Sequence, residues 1–591
     1  MNLASLRVPT ALLVLGLLFH SPAGAENPFV RTGPPLPGTE LLTMEGDIAS
    51  EMVAGIDRFL LRKTAESIEG RDQHWNRDVS SPDAYRTSVE GNRARLAHIL
   101  GVRDDRAEPS GFQFQASEAE QWVLAEGTGY KVYAVRWPVL GSIEGEGLLL
   151  VPEGKPIGGV IAIPDAGQTP EQLVGLAEGI APQSQVARRL AESGCEVLVP
   201  TIVPREGGLL KLPGGFQSQI PGREFLYRSA FVLGRHLIGY EVQKVLAAVD
   251  CFAERDELPV GVIGYGEGGL LSLYAGALDP RLEAVVVSGY FDAREELWRE
   301  PIDRNIFGLL DQFGDAELAT LIAPNTLIVE AALGPVAELS GDHGAAPARL
   351  ASPKIAQVTA EVARAEKLTA GLSQSDWIHL VEPAGDTGTF GVGKALEKLI
   401  TTLNAKASLA GSGSPPIAQG DGVDPTARVV RQMKQIELQN QRVLRESPYT
   451  RKQFFKPDTS SLEAYKKSVE PYREIFAQQV IGQFDDERLP LNPRTRQVYQ
   501  EEKWTGHEVV LDVFPDVIAY GLLLVPNDIK PGEQRPVVVC QHGLEGRPQD
   551  VIGEQKHAAY QAYAARLAER GFITFAPQNP YIFKDRFRTL Q

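Results

Sequence analysis

The segment Gly264-Tyr265-Gly266-Glu267-Gly268-Gly269 lies between an apolar run, Val260–Ile263, and a helical stretch beginning at Leu270. Glycines at 264 and 268 suit a strained strand-to-helix turn that lifts residue 266 clear of the backbone. A serine there would be a nucleophile presented for attack on a carbonyl. In this chain residue 266 is glycine, and no nucleophile stands at the turn. The same six residues fit a phosphate-cradling G-x-G-x-x-G loop, but no acidic residue closes the next strand about 20 residues on, as a dinucleotide site needs.

The groups that should assist such a nucleophile are equally sparse. Glu330, after the run Thr326–Val329, is the one candidate acid. After Trp377–Val381 comes Glu382-Pro-Ala-Gly-Asp-Thr-Gly388, which has no histidine. His379 falls inside a strand pattern, His343 in a loop pattern, and His236 in a helical pattern, so each reads as structural. A second constellation sits far downstream, where Val537-Val-Val-Cys-Gln-His-Gly-Leu-Glu-Gly546 reads as a buried strand ending in His542-Gly543. His542-Gly543 resembles the H-G segment of α/β-hydrolases, and that resemblance implies His542, Gly543 and Leu544 as candidates to hold an oxyanion through loop amides. Pro164-Asp165-Ala166 occupies the matching place upstream, where Asp165 would put a negative charge in that hole.

Strands and helices must position these residues. Apolar runs at Gly159–Ile163, Cys195–Val199, Val260–Ile263, Ala284–Val287, Thr326–Val329 and Ile378–Val381 read as buried parallel strands, with helical stretches between them. This is an α/β pattern, a mostly parallel sheet with helices on both faces, preceded by a helical extension from Leu41 to about Leu100.

The chain also repeats itself. Ser80-Ser81-Pro82-Asp83-Ala84-Tyr85 recurs as Ser460-Ser461-Leu462-Glu463-Ala464-Tyr465, Gly147–Pro152 recurs identically as Gly521–Pro526, and Arg189-Leu190-Ala191-Glu192 recurs as Arg566-Leu567-Ala568-Glu569. The matches are collinear, which implies a duplicated unit of about 375 residues. Ser408–Pro416 and Gln419–Gly422 have linker composition. The expected organisation is a leader over 1–25, a first repeat with a degenerate turn over 26–407, a flexible linker over 408–423, and the N-terminal half of a second repeat over 424–591. The spacing from Asp165 to Gly266 then places the second repeat's own turn about 100 residues beyond His542, past Gln591.

The turn Gly264–Gly269 resembles the G-x-S-x-G nucleophile elbow of α/β-hydrolases, and in particular the G-Y-S-E-G-G elbow of the dienelactone-hydrolase-like and acetyl-xylan-esterase-like branch. That resemblance implies an α/β-hydrolase fold and an esterase-like activity, with acylated carbohydrate as the implied substrate class. The alternative is a non-catalytic pseudo-hydrolase that binds or scaffolds.

Composition sets the remaining bounds. The 591 residues carry a net charge of −17, with 43% hydrophobic and 23% charged residues, which is globular. Such an acidic chain is a poor partner for nucleic acid or anionic lipid. Its 3 cysteines, Cys195, Cys251 and Cys540, form no disulfide framework and no metal-binding cluster, and no pattern calls for a cofactor. Arg7, the apolar stretch Ala11–Phe19 and Ala23-Gly24-Ala25 have the form of an export signal cleaved before Glu26. The expectation is an exported protein without a membrane anchor. The sequence leaves its oligomeric state open.

Overall fold

The computed structural model describes residues 33–115, 123–210, 218–254, 258–373, 376–382, 389–419, 424–544, 546–553 and 557–580. The expected leader over 1–25 and the stretch 581–591 lie outside the described residues. The chain divides into a larger unit, Leu61–Phe484, and a smaller one joining Met1–Leu60 to Asp485–Phe587.

The larger unit is built on eight main strands: β1 (Tyr130–Leu140), β2 (Ile143–Pro152), β3 (Gly159–Ile163), β4 (Glu196–Pro200), β5 (Val260–Tyr265), β6 (Leu282–Ser288), β7 (Thr326–Glu330) and β8 (Ile378–Val381). Their spatial order is β1-β2-β4-β3-β5-β6-β7-β8. β1, β2 and β4 pair antiparallel, and every pair from β4 to β8 is parallel. Residues along each strand alternate between two cores. Val262, Val285, Val287, Leu327 and Val329 join one cluster, while Ile263, Ala284, Val286 and Ile328 join the other. That alternation is what burial of both faces of a sheet requires.

Helices cover each face. α1 (Pro82–Ser88), α2 (Leu237–Ala253), α3 (Glu267–Leu278) and α4 (Asp315–Ile322) contribute to the first cluster, and α5 (Gly393–Leu403) to the second. Strand order, pairing sense and two-sided helix cover together define the α/β-hydrolase fold, as the sequence pattern implies.

The larger unit does not stop where composition places a linker. Ile417–Ala418 pairs antiparallel with Ala125–Glu126, and the amides of Leu409 and Gly413 donate to Glu397 and Glu192 at 2.7 and 3.0 Å. Backbone groups that find partners outweigh the Gly/Ser composition, so the described part of 408–423 is docked rather than free. α6 (Pro425–Phe454) then buries Met433 and Ile436 in the first cluster, and Arg431 pairs with Glu146 at 2.8 Å. α7 (Leu462–Ile475) also belongs to this unit. The larger compact unit therefore runs past 424 to Phe484, because the apolar stripe of α6 is satisfied by the larger core.

The smaller unit has β9 (Arg494–Gln500), β10 (Trp504–Phe514), β11 (Val517–Pro526), β12 (Val537–Val539) and β13 (Ile573–Pro577), in the order β9-β10-β11-β13-β12. Its β10-β11-β13-β12 path follows the pattern of β1-β2-β4-β3. Even the register agrees: Gly521 faces Pro577 in one, Gly147 faces Pro200 in the other. The helix Ile48–Gly70 supplies Ile48, Ala49 and Met52 to a core with Val510 and Tyr520.

Candidate functional site

In the larger unit β5 runs into α3 through the Gly264–Gly269 turn. Gly266 sits at φ +57°, ψ −114°, outside the regions an L-residue favours. The flanking glycines are required by close approach. A Cβ on Gly264 would lie 1.9 Å from the Gly268 carbonyl oxygen, and one on Gly268 would lie 2.2 Å from the Ile163 carbonyl oxygen. The turn thus keeps the geometry of an elbow while its central residue carries no side chain.

Asp165 fills the space beside it. At 4% exposure, its carboxylate accepts the Glu267 amide at 2.9 Å and the Gly167 amide at 2.9 Å. Arg205 grips it in bidentate fashion at 2.6 and 2.9 Å. These donors hold the Asp165 carboxyl below the usual aspartate range despite the opposing cost of burial. A Cβ on Gly266 would come within 2.5 Å of Asp165 Oδ1 and 2.8 Å of Pro335 Cγ.

The floor beneath is a buried ion network. Glu267 accepts from Arg223 at 3.0 Å, from Arg205 at 3.2 Å and from Arg304 at 2.8 and 2.9 Å. Arg223 also bonds Glu241 and Asp303. Burial opposes ionisation of Glu267, but the three guanidinium groups win and hold its carboxyl far below the normal range. Above Asp165 lies a cavity of about 520 Å3, bordered by Ile202, Leu209, Val336, Thr426, Arg428 and Val429 among others.

The other candidate residues do not gather at the turn. Glu330 is buried and accepts from the Ser288 hydroxyl and from the Gly391 and Val392 amides at 2.9 and 2.6 Å, so it pins the start of α5. His236 is the N-cap of α2, accepting the Ile238 amide at 3.1 Å, rather than a residue within the helix; burial pushes its pKa down to about 4. His343 is exposed in a short 3-10 turn, and His379 is half-buried on β8 with Nδ1 3.5 Å from Asp376. Residues 383–388 lie outside the described residues.

In the smaller unit the loop after β12 carries His542, Gly543 and Leu544. Val537 pairs with Ile573 as Gly159 pairs with Glu196. Counting along both strands places Gly543, not His542, at the position of Asp165. Both lie five residues before the proline that opens the next helix, Pro548 and Pro170. The one-residue correction arises because pairing register, unlike motif similarity, is fixed by backbone hydrogen bonds. The Gly543 amide donates to the Tyr560 hydroxyl at 2.6 Å, and Leu544 is 69% exposed. His542 is buried, with Nδ1 2.7 Å from the Gly543 carbonyl oxygen and Nε2 without a partner among the described residues.

Arg205, Arg223 and Arg304 have no signature in the sequence, since they reach Asp165, Glu241 and Glu267 respectively across at least 18 residues. A buried acid after a strand demands a cation, and that demand was the only available signal. Among the described residues no group of three or more His, Cys, Asp or Glu side chains is placed to hold a metal ion, and no helix is long and apolar enough to cross a membrane.

No protein-family model and no curated protein matches the sequence. Among solved structures, the chain is similar to the methylesterase BT1017 (14% identity, TM-score 0.37, covering 60% of this chain and 72% of that one). It is also similar to a glucuronoyl esterase from Solibacter usitatus (15%, TM-score 0.35, 55% and 95%). A third is acetyl xylan esterase 1 from Thermoanaerobacterium sp. JW/SL YS485 (13%, TM-score 0.33, 56% and 97%). The strand order above defines this chain as an α/β-hydrolase-fold protein, and these structural neighbours are all named as esterases.

Proposed function

We propose that the chain is the front part of an exported, esterase-like α/β-hydrolase made of tandem copies, in which the first copy has no turnover and the second carries the chemistry. An ester of acylated carbohydrate is the proposed substrate class, and a G-x-S-x-G serine about 100 residues beyond Gly543 is the proposed nucleophile. The observation that carries this reading is the contrast at one strand register. Asp165 fills the amide hole of the first copy, and Gly543 puts no side chain there in the second. Among the described residues the outer edge of β12 has no partner strand, which supports the same reading. Val537 and Val539 are 62% and 65% exposed, whereas the equivalent edge of β3 is paired with β5.

In this mechanism serine attacks the ester carbonyl, a histidine takes and returns the proton, and the amides after β12 stabilise the oxyanion. Among the described residues no complete triad is brought together at the turn, so this chain alone should not hydrolyse p-nitrophenyl acetate above background. Sequencing the gene downstream of codon 591 tests the proposal. An open frame encoding the serine elbow, with turnover lost on serine-to-alanine substitution, supports it. An immediate stop, or fast serine-phosphonate-sensitive hydrolysis by the 591-residue chain, sinks it.

A second reading is favoured by the cavity of about 520 Å3 above the filled floor. There the larger unit serves as a binding or scaffold module, and an immediate stop codon would leave this reading standing.

A further inference from the structure

The amide hole of the larger unit has been filled, not dismantled. In an α/β-hydrolase the oxyanion is held by the amide of the residue after the nucleophile and by an amide of the loop after β3. Here the residue after the turn is Glu267 and the loop after β3 includes Gly167, and their amides donate to the two oxygens of one carboxylate, each at 2.9 Å. Arg205, whose side chain is 15% exposed, adds two more donors from a third segment of chain. This is the donor set of a carboxylate site, and a carboxylate occupies it. The 2.5 Å approach of Asp165 Oδ1 to an ideal Cβ at position 266 adds an independent constraint. A side chain at 266 and the Asp165 carboxylate cannot share that space.

We propose that the larger unit retains a preformed site for a small carboxylate, occupied from within by Asp165, and that Asp165 and Gly266 form a matched pair. The glycine is then what the internal carboxylate requires, and the carboxylate is what keeps the hole closed to any external acyl oxygen. This inference uses only the larger unit and stands or falls separately from the proposed chemistry of the second copy.

The test uses the full chain and sodium acetate as probe, with sodium chloride at equal ionic strength as control. Asp165→Ala should melt earlier than the parent protein and regain a few degrees in a saturable way with acetate, as expected for a ligand that binds only the folded state. The parent protein and Asp165→Asn, in which the hole stays filled, should show no such response. A natively folded Asp165→Ala that ignores acetate overturns the proposal. If Asp165→Ala folds poorly, refolding yield decides, and equal yields in acetate and chloride overturn it. The pairing is read from a double-mutant cycle. Gly266→Ala and Asp165→Gly should each lower the melting temperature, and together lower it by less than their sum. Additive losses reject the pairing.

Discussion

Two stretches related by the repeat, Asp78–Ser88 and Asp458–Ser468, have the same local structure and opposite surroundings. Ser81 and Ser461 each cap a helix by accepting the amide three residues on, at 3.1 and 3.0 Å. Asp78 and Asp458 each donate a backbone amide to the serine ten residues later, Ser88 or Ser468, at 3.0 and 2.8 Å. Tyr85, however, is fully buried with its hydroxyl on the Thr320 carbonyl at 2.9 Å, while Tyr465 is 40% exposed. Capping and turn bonds span a few residues and travel with the local sequence. Burial depends on a partner helix, for Tyr85 the α4 of the larger unit, that lies more than 200 residues away. The contrast between the Asp165 carboxylate, which accepts the Glu267 amide, and Gly543, whose own amide donates to the Tyr560 hydroxyl, follows the same logic.

The strongest way to break this comparison is through the floor of the first cleft. Arg223→Met should leave the buried carboxylates of Glu241, Glu267 and Asp303 short of their shared cation. The expected loss is about 3–5 kcal/mol in the larger unit, as for removing one partner of a buried ion pair. Urea unfolding followed by tryptophan fluorescence measures it, and a change under about 1 kcal/mol would show that the network has relaxed around the gap.

The tyrosine pair sharpens the comparison directly. Tyr85→Ala should cost about 3 kcal/mol, as for emptying a fully buried aromatic site. Tyr465→Ala should stay within about 0.5 kcal/mol, as for an exposed position. Equal effects would mean that the exposed tyrosine meets a partner in solution.

Most of the frame was legible from hydrophobic runs, because strands buried on both faces must be continuously apolar. Gly159–Ile163 and Ile378–Val381 are read from the sequence with the bounds the structure has. The elbow was legible because Gly264 and Gly268 answer a local steric demand. The place of Asp165 was legible too, but the cations that hold the cleft's acids were not, since Asp165 meets Arg205 across 40 residues and Glu267 meets Arg304 across 37. The extent of the larger compact unit was not legible for a related reason. Composition near 408–423 reports chain flexibility, whereas the boundary depends on where Met433 and Ile436 find a core.

A smaller effect concerns pH. Asp315 opens α4, fully buried, and accepts the Asp292 amide at 3.0 Å with Arg294 Nε at 3.2 Å. Burial outweighs Arg294 and pushes its pKa up to about 7. In the unfolded chain it would ionise near the ordinary 3.8. Between those values the folded protein binds more protons than the unfolded one, so Asp315 contributes stability at low pH that is lost as pH rises towards 7. Asp315→Asn removes that dependence. Its melting temperature minus that of the parent should rise between pH 4 and pH 7, the window set by those two values. A flat difference would show that Arg294 keeps Asp315 ionised throughout.

The smallest expected change in stability tests the open edge. β3 lies between β4 and β5, so its main-chain donors and acceptors are used on both sides. Among the described residues β12 pairs only with β13, and Val537 and Val539 are exposed. An unpaired apolar edge recruits another strand, whether from the same polypeptide or from a second molecule. Val537→Lys adds a charge that opposes pairing and removes no buried contact. Stability should therefore stay within about 0.5 kcal/mol of the parent, while concentration-dependent association in sedimentation velocity should fall. Unchanged association would place the contact between molecules elsewhere. A clear loss of stability would mean that Val537 is covered in solution, in the way β5 covers β3.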